Sequence, residues 1–199
     1  MNVSSIDNRW APLLAGLLAG LFAIAMAFLF GGDASERALL AARWTARAAL
    51  PVFLVAYLAS SLVRLRPTEI TKALMRRRRQ WGLGFALAHT IHLAALLVNI
   101  IIYRPRPLDS LLAGAVAYSL IYVMALTSTN AAQRRMGRWW KRIHTFGTHY
   151  VWFIFTASYT LRALGDDPRY YPEGWSLMVV MFVALGVRML AWRKKRARA

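Results

Sequence analysis

The sequence predicts an all-α integral membrane protein: a six-helix transmembrane bundle with both termini cytoplasmic. Three observations carry that expectation. Of 199 residues, 58% are hydrophobic, and the apolar runs recur at about the 20 residues that a helix needs to cross a bilayer core. Arg and Lys concentrate in alternate connections, at 64–80, 130–142 and 193–199, whereas Asp33, Glu36, Asp109, Asp166, Asp167 and Glu173 fall in the others; dense positive charge marks the cytoplasmic side. Trp10, Trp44, Trp81, Trp139, Trp140, Trp175 and Trp192 all lie near the ends of runs, where amphipathic rings prefer the headgroup level.

The spans are expected at about 11–30, 46–63, 81–102, 109–127, 143–164 and 174–192. The first, APLLAGLLAGLFAIAMAFLF, carries no charge and has only Arg9 on its flank. It exceeds the roughly 7–15 residues of a signal-peptide core, so it reads as a retained span. The small residues around Ala25 and Ala27 leave cleavage open. In the second span, Pro51 suits either a first helical turn or a kink. The four consecutive arginines at 76–79 read as a topology determinant and a contact for anionic lipid. After the fourth span, Thr127, Ser128 and Thr129 can cap a basic helix. Met136, Trp139 and Trp140 beside Arg134, Arg138 and Lys141 make that helix look interfacial. The whole of 1–199 reads as a single transmembrane domain.

The net charge of +18 is placed between spans, where it sets topology, and a nucleic-acid partner is excluded on that ground. Absence of cysteine removes disulfides and thiolate metal sites. No phosphate-cradling glycine motif occurs, so any redox work draws electrons from a membrane carrier or a separate partner.

The chain has four histidines, all in expected spans. His89 and His92 are about 60° apart on a helix and share a face of span three, whereas His144 and His149 differ by about 140° in span five. Spans three and five run parallel in this topology. Neutral imidazoles in a dry bundle suit axial ligation of haem iron, and ionisable groups inside a membrane are functional by default. A plainer reading is that each histidine hydrogen-bonds a neighbouring helix, and His144, close to Arg142, can be an interfacial residue. Zn²⁺ or Cu²⁺ would also accept four imidazoles.

The segments RRQWGLGFALAHTIHLAALLVN (78–99), LTSTNAAQRRMGRWWKRIHTFGTHYVWF (126–153) and TARAALPVFLVAYLASSLVRL (45–65) resemble the ferric-reductase-like transmembrane family. Within it, the likeness is to the haem-binding membrane subunits that serve bacterial periplasmic methionine-sulfoxide reductases. The resemblance implies a multi-pass protein of the bacterial inner membrane with a b-type haem between spans three and five. It further implies electrons drawn from quinol or a flavin partner and passed to an acceptor outside, such as a periplasmic oxidoreductase. His92 matches the family's span-three ligand and His144 the first histidine of span five. The family's second span-five histidine falls at Ala157 here, with Ser158 and Tyr159 next. Arg47, with Arg43 beside Trp44, then has two readings: snorkelling to headgroups, or a fork of donors for a haem propionate or a quinone carbonyl.

Two stacked haems need ligands about 20 Å apart along each helix, but separations of three and five residues give only about 4.5 and 7.5 Å of rise. One haem at most is expected. In the family register His149 lies about 12 Å of rise from His92 and about 9 Å from His89. The expected ligand pair is His89 or His92 with His149. The alternative is a haem-less relative acting as a metal-binding, transport or structural subunit, or a scaffold whose histidines merely pack.

Overall fold

The computed structural model describes residues 8–197; Arg198 and Ala199 of the basic tail lie outside them. Among the described residues the chain is helical, with no strand. It divides into two compact units, one of residues up to Ala59 with Pro67–Leu111, the other of Ser60–Arg66 with residues from Leu112 onward.

The first unit is built on α1 (Ala11–Phe30), most of α2 (Ala34–Leu65), a short α3 (Glu69–Arg76) and α4 (Arg78–Val98), which a π-helical turn extends through Asn99–Tyr103. Helix α1 lies directly on α4 because both present glycine. A Cβ on Gly16 would overlap the Gly84 carbonyl oxygen, and a Cβ on Gly84 would overlap that of Pro12. Lipid tails are as apolar as leucine, so close backbone approach of this kind is what holds membrane helices together. Gly20 faces Ile91, and Ala27 packs with Ala41 and Ala95, so α1 and α4 run parallel. Helix α2 returns antiparallel between them in sequence: Ala41 shares a buried cluster with Ala27 and Ala95, Phe53 meets Phe85 at 5.1 Å, and the Nε of Arg78 donates to the Ala56 carbonyl at 3.0 Å.

Helix α2 is longer than its apolar core. It runs for 32 residues, so the stretch before 46, with Arg37, Arg43 and Trp44, is helical too. The turn that feeds it is fixed locally, by Asp33 Oδ1 accepting from Glu36 N at 2.7 Å and by Glu36 Oε2 accepting from Gly32 N at 2.8 Å. Pro51 sits inside the helix rather than at its first turn, where it cannot donate to the Arg47 carbonyl. Helix α3 opens on a capping box formed by Thr68 and Thr71.

The second unit holds α5 (Leu108–Leu126) from Leu112 onward, α6 (Asn130–Met136), α7 (Arg138–Ala163), a 3₁₀ turn at Pro168–Tyr170 and α8 (Tyr171–Arg196). Helix α7 packs antiparallel to α8: Gly174 abuts the backbone of Ala163, Trp152 Nε1 donates to the Met181 carbonyl at 2.9 Å, and Arg162 pairs with Glu173 at 2.7 Å. It is antiparallel to α5 as well, since Gly147 meets Met124 and the Tyr150 hydroxyl donates to the Ala113 carbonyl at 3.2 Å. Lys194 Nζ donates to the Leu65 carbonyl at 2.8 Å, placing a cation on the negative end of α2.

The basic interfacial helix is shorter than expected. Thr129 caps α6 by accepting from Ala132 N at 3.1 Å, and Gly137, at φ 51° and ψ −123°, breaks the chain in a region open only to glycine. Trp139 and Trp140 therefore belong to the first turn of α7, not to α6.

Five helices among the described residues are long and apolar enough to cross a membrane: Ala11–Phe30, Ala34–Leu65, Arg78–Tyr103, Leu108–Leu126 and Pro168–Arg196. The helix expected as span five, α7, is present with 26 residues but is less apolar. Thr145, Thr148, His149, Thr156, Ser158 and Thr160 dilute it, and several of these bond a neighbouring helix or their own backbone. Large apolar side chains such as Leu14, Leu18, Phe22, Phe28 and Leu29 stand exposed on α1. In water such a surface would be a liability; in a bilayer it meets lipid.

Candidate functional site

In the first unit, α4 carries His89 and His92 with ring centroids 4.9 Å apart, on one face as their spacing requires. His89 is buried and packs on Phe85 at 4.8 Å. Phe85 meets Phe53, which stacks on the fully buried Tyr57 at 5.3 Å. His92 is half-buried, and its Nδ1 lies 3.1 Å from Thr45 Oγ1 on α2.

The hydrogen-bond network assigns the tautomer of His92. A threonine hydroxyl has one proton, and Thr45 gives its proton to the Ala41 carbonyl one turn back at 2.6 Å. Toward His92 the oxygen can only accept, so Nδ1 of His92 carries the ring proton and Nε2 carries the lone pair. In this form a neutral imidazole ligates a metal through Nε2, the hydrogen bond at Nδ1 fixing which nitrogen does so.

The second unit contains His144 and His149, both half-buried on α7. Thr127 Oγ1 donates to the Val123 carbonyl at 2.6 Å and lies 3.0 Å from His144 Nε2. By the same reasoning Nε2 of His144 carries the proton and is committed to Thr127. Its ring also stacks on Trp140 at 4.0 Å, whose Nε1 donates to the Thr127 carbonyl at 2.8 Å. His149 Nε2 instead lies 3.3 Å from Arg188 Nη2. A guanidinium only donates, so this Nε2 holds a lone pair, directed at a cation.

His92 thus faces Thr45, His144 faces Thr127 and His149 faces Arg188. Among the described residues no group of three or more His, Asp or Glu side chains is arranged to hold a metal ion, as a zinc or copper site made of imidazoles would require. Arg43 and Arg47 are half-buried on α2, flanking the fully buried Thr45. Ala157 is half-buried on α7 and offers only a methyl group. Tyr159, two residues on, is buried against Phe155. Sequence reasoning overlooked Thr45 and Arg188. The signal for Arg188 was available, as an ionisable residue within an apolar run. Thr45 gives none, because a threonine that returns its proton to its own helix looks ordinary until the partner helix is in place.

Curated relatives match along the chain. One from Enterobacter sp. (strain 638), described as protein-methionine-sulfoxide reductase heme-binding subunit MsrQ, is 30% identical over 223 residues, covering 100% of this chain and 98% of its own. Proteins of the same description from Cronobacter sakazakii and Yersinia pseudotuberculosis are 29% and 27% identical, covering 91% and 100% of this chain and 86% and 100% of theirs. No family model and no solved structure matches the chain.

Proposed function

The chain belongs to the MsrQ family, named as heme-binding subunits of protein-methionine-sulfoxide reductase, and from that premise we propose that it is a membrane electron-transfer subunit binding one b-type haem. His92 of α4 and His149 of α7 would hold it through their imidazole nitrogens, with His89 as the alternative on α4. The observation that carries this reading is the contact of His92 Nδ1 with Thr45 Oγ1, whose own proton goes to the Ala41 carbonyl. Within a mostly apolar helix, Nε2 of His92 keeps the lone pair because Thr45 can only accept at Nδ1. His149 also holds its lone pair on Nε2, whereas His144 has committed that nitrogen as a donor and braces α7 against α5.

When bound, the haem supplies a one-electron couple in a medium of low dielectric. The chain's own residues supply two neutral nitrogen ligands, an apolar surround and, from Arg47 of α2, a cation for a propionate or a quinone carbonyl. Electrons come from quinol or a flavin partner and leave to a methionine-sulfoxide reductase outside the cytoplasm. The protein spans the bacterial inner membrane six times with both termini cytoplasmic. The antiparallel packing of α7 against both α5 and α8 supports the sixth crossing, since a helix laid along two spans shares their depth. Kinship with the wider ferric-reductase-like proteins rests on the segments at 45–65, 78–99 and 126–153.

The absorption spectrum of detergent-purified protein, expressed with ample haem and recorded before and after dithionite, tests the reading. A Soret band and a sharp reduced α band, both lost in His92→Ala, are expected. Their absence from the wild-type protein would favour a haem-less relative, the reading that Ala157 supports. Transfer of quinol electrons to a periplasmic methionine-sulfoxide reductase in a reconstituted assay tests the acceptor.

A further inference from the structure

We propose that Thr45 is a positioning residue for His92, fixing which imidazole nitrogen is presented for ligation and how strongly it donates; the link to haem rests on the function proposed above. The geometry is over-determined. Thr45 is fully buried, and its Oγ1 donates at 2.6 Å to Ala41 O, with Ala42 O more distant at 3.4 Å. The back-bond to the preceding turn and the burial of the side chain hold this hydroxyl in place. Its one remaining role toward His92, at 3.1 Å, is to accept. A serine can do the same with more freedom, and a valine of the same shape cannot do it at all.

The same device occurs at the other end of the histidine set with the opposite sense. Thr127 is back-bonded to Val123 O at 2.6 Å and accepts from a ring nitrogen at 3.0 Å, but from Nε2 of His144. Two threonines of one design therefore leave the lone pair on Nε2 of His92 and on Nδ1 of His144. Hydrogen bonds to the far nitrogen of a ligating histidine orient the ring and raise its basicity, and their loss typically costs about 10–100-fold in metal affinity.

The test has two arms. In haem-free protein labelled with ¹⁵N-histidine, with His92→Gln to assign the signal, His92 is expected as the Nδ1–H tautomer, moving toward a mixture in Thr45→Val. A wild-type His92 with its proton on Nε2 overturns the proposal, and this arm needs neither haem nor the variant. In haem-loaded protein, Thr45→Val is expected to weaken haem binding roughly 10–100-fold and to raise the midpoint potential, because a less basic imidazole stabilises ferric iron less. Thr45→Ser is expected to restore both. Equal affinity and potential in wild type, Thr45→Val and Thr45→Ser overturn the proposal while leaving haem binding intact. Absence of haem from the wild-type protein overturns the proposed function alone, and the tautomer then still decides about Thr45.

Discussion

Arg188 of α8 donates to Nε2 of His149 on α7 across 3.3 Å, setting a guanidinium against an imidazole between two packed helices. A positive charge within a membrane span is costly unless it is hydrogen-bonded, and a neutral imidazole nitrogen is a suitable acceptor. The same contact competes with any metal for that lone pair.

Removing the competitor is therefore informative. Arg188→Met is expected to strengthen haem binding by up to about tenfold, the equivalent of one hydrogen bond of about 1.4 kcal/mol, and His149→Ala to weaken it. Haem titration of the three proteins checks this. Unchanged affinity in both variants would remove His149 from the ligand set.

His144 is expected to behave as a brace. Thr127→Val deprives its Nε2–H of an acceptor and should lower stability by about 1–3 kcal/mol, seen as an earlier thermal transition in detergent. Haem content and the reduced spectrum should not change. A lost α band in this variant would return His144 to the site.

The glycine contact between α1 and α4 predicts a sharp positional contrast. A side chain at Gly84 runs into the Pro12 carbonyl, whereas a Cβ on Gly82 meets nothing within 4 Å. Gly84→Val is expected to cost at least about 1–3 kcal/mol by overpacking, or to prevent folding, with Gly82→Ala close to wild type. Size-exclusion profiles and melting temperatures compare the two.

Topology can be read directly, because the chain has no cysteine of its own. With six crossings, Asp166→Cys is expected to react with an impermeant maleimide in intact spheroplasts, and Arg134→Cys only after permeabilisation. Labelling of both, or of neither, without permeabilisation would mean that α7 does not cross.

The long elements were legible in the residues because a bilayer demands about 20 apolar residues per span, and such runs need no tertiary context to be recognised. The positions of the histidines were equally plain. The span expected at 143–164 forms a helix of 26 residues, but its threonines and histidines keep it out of the five that are apolar enough to cross a membrane. The start of α2 was placed too late, since Arg37 and Arg43 break the apolar run without breaking the helix. Trp139 and Trp140 were joined to α6 because a basic-aromatic pattern does not reveal that Gly137 adopts a backbone angle that ends it.

By itself the sequence determined the helical class, the alternation of charge and the confinement of every imidazole to two long helices, since these depend on local composition. Only the tertiary structure decided what each imidazole can do. A ring's tautomer is set by the atom facing it, and those atoms come from other helices: Thr45 from α2, Thr127 from α5 and Arg188 from α8.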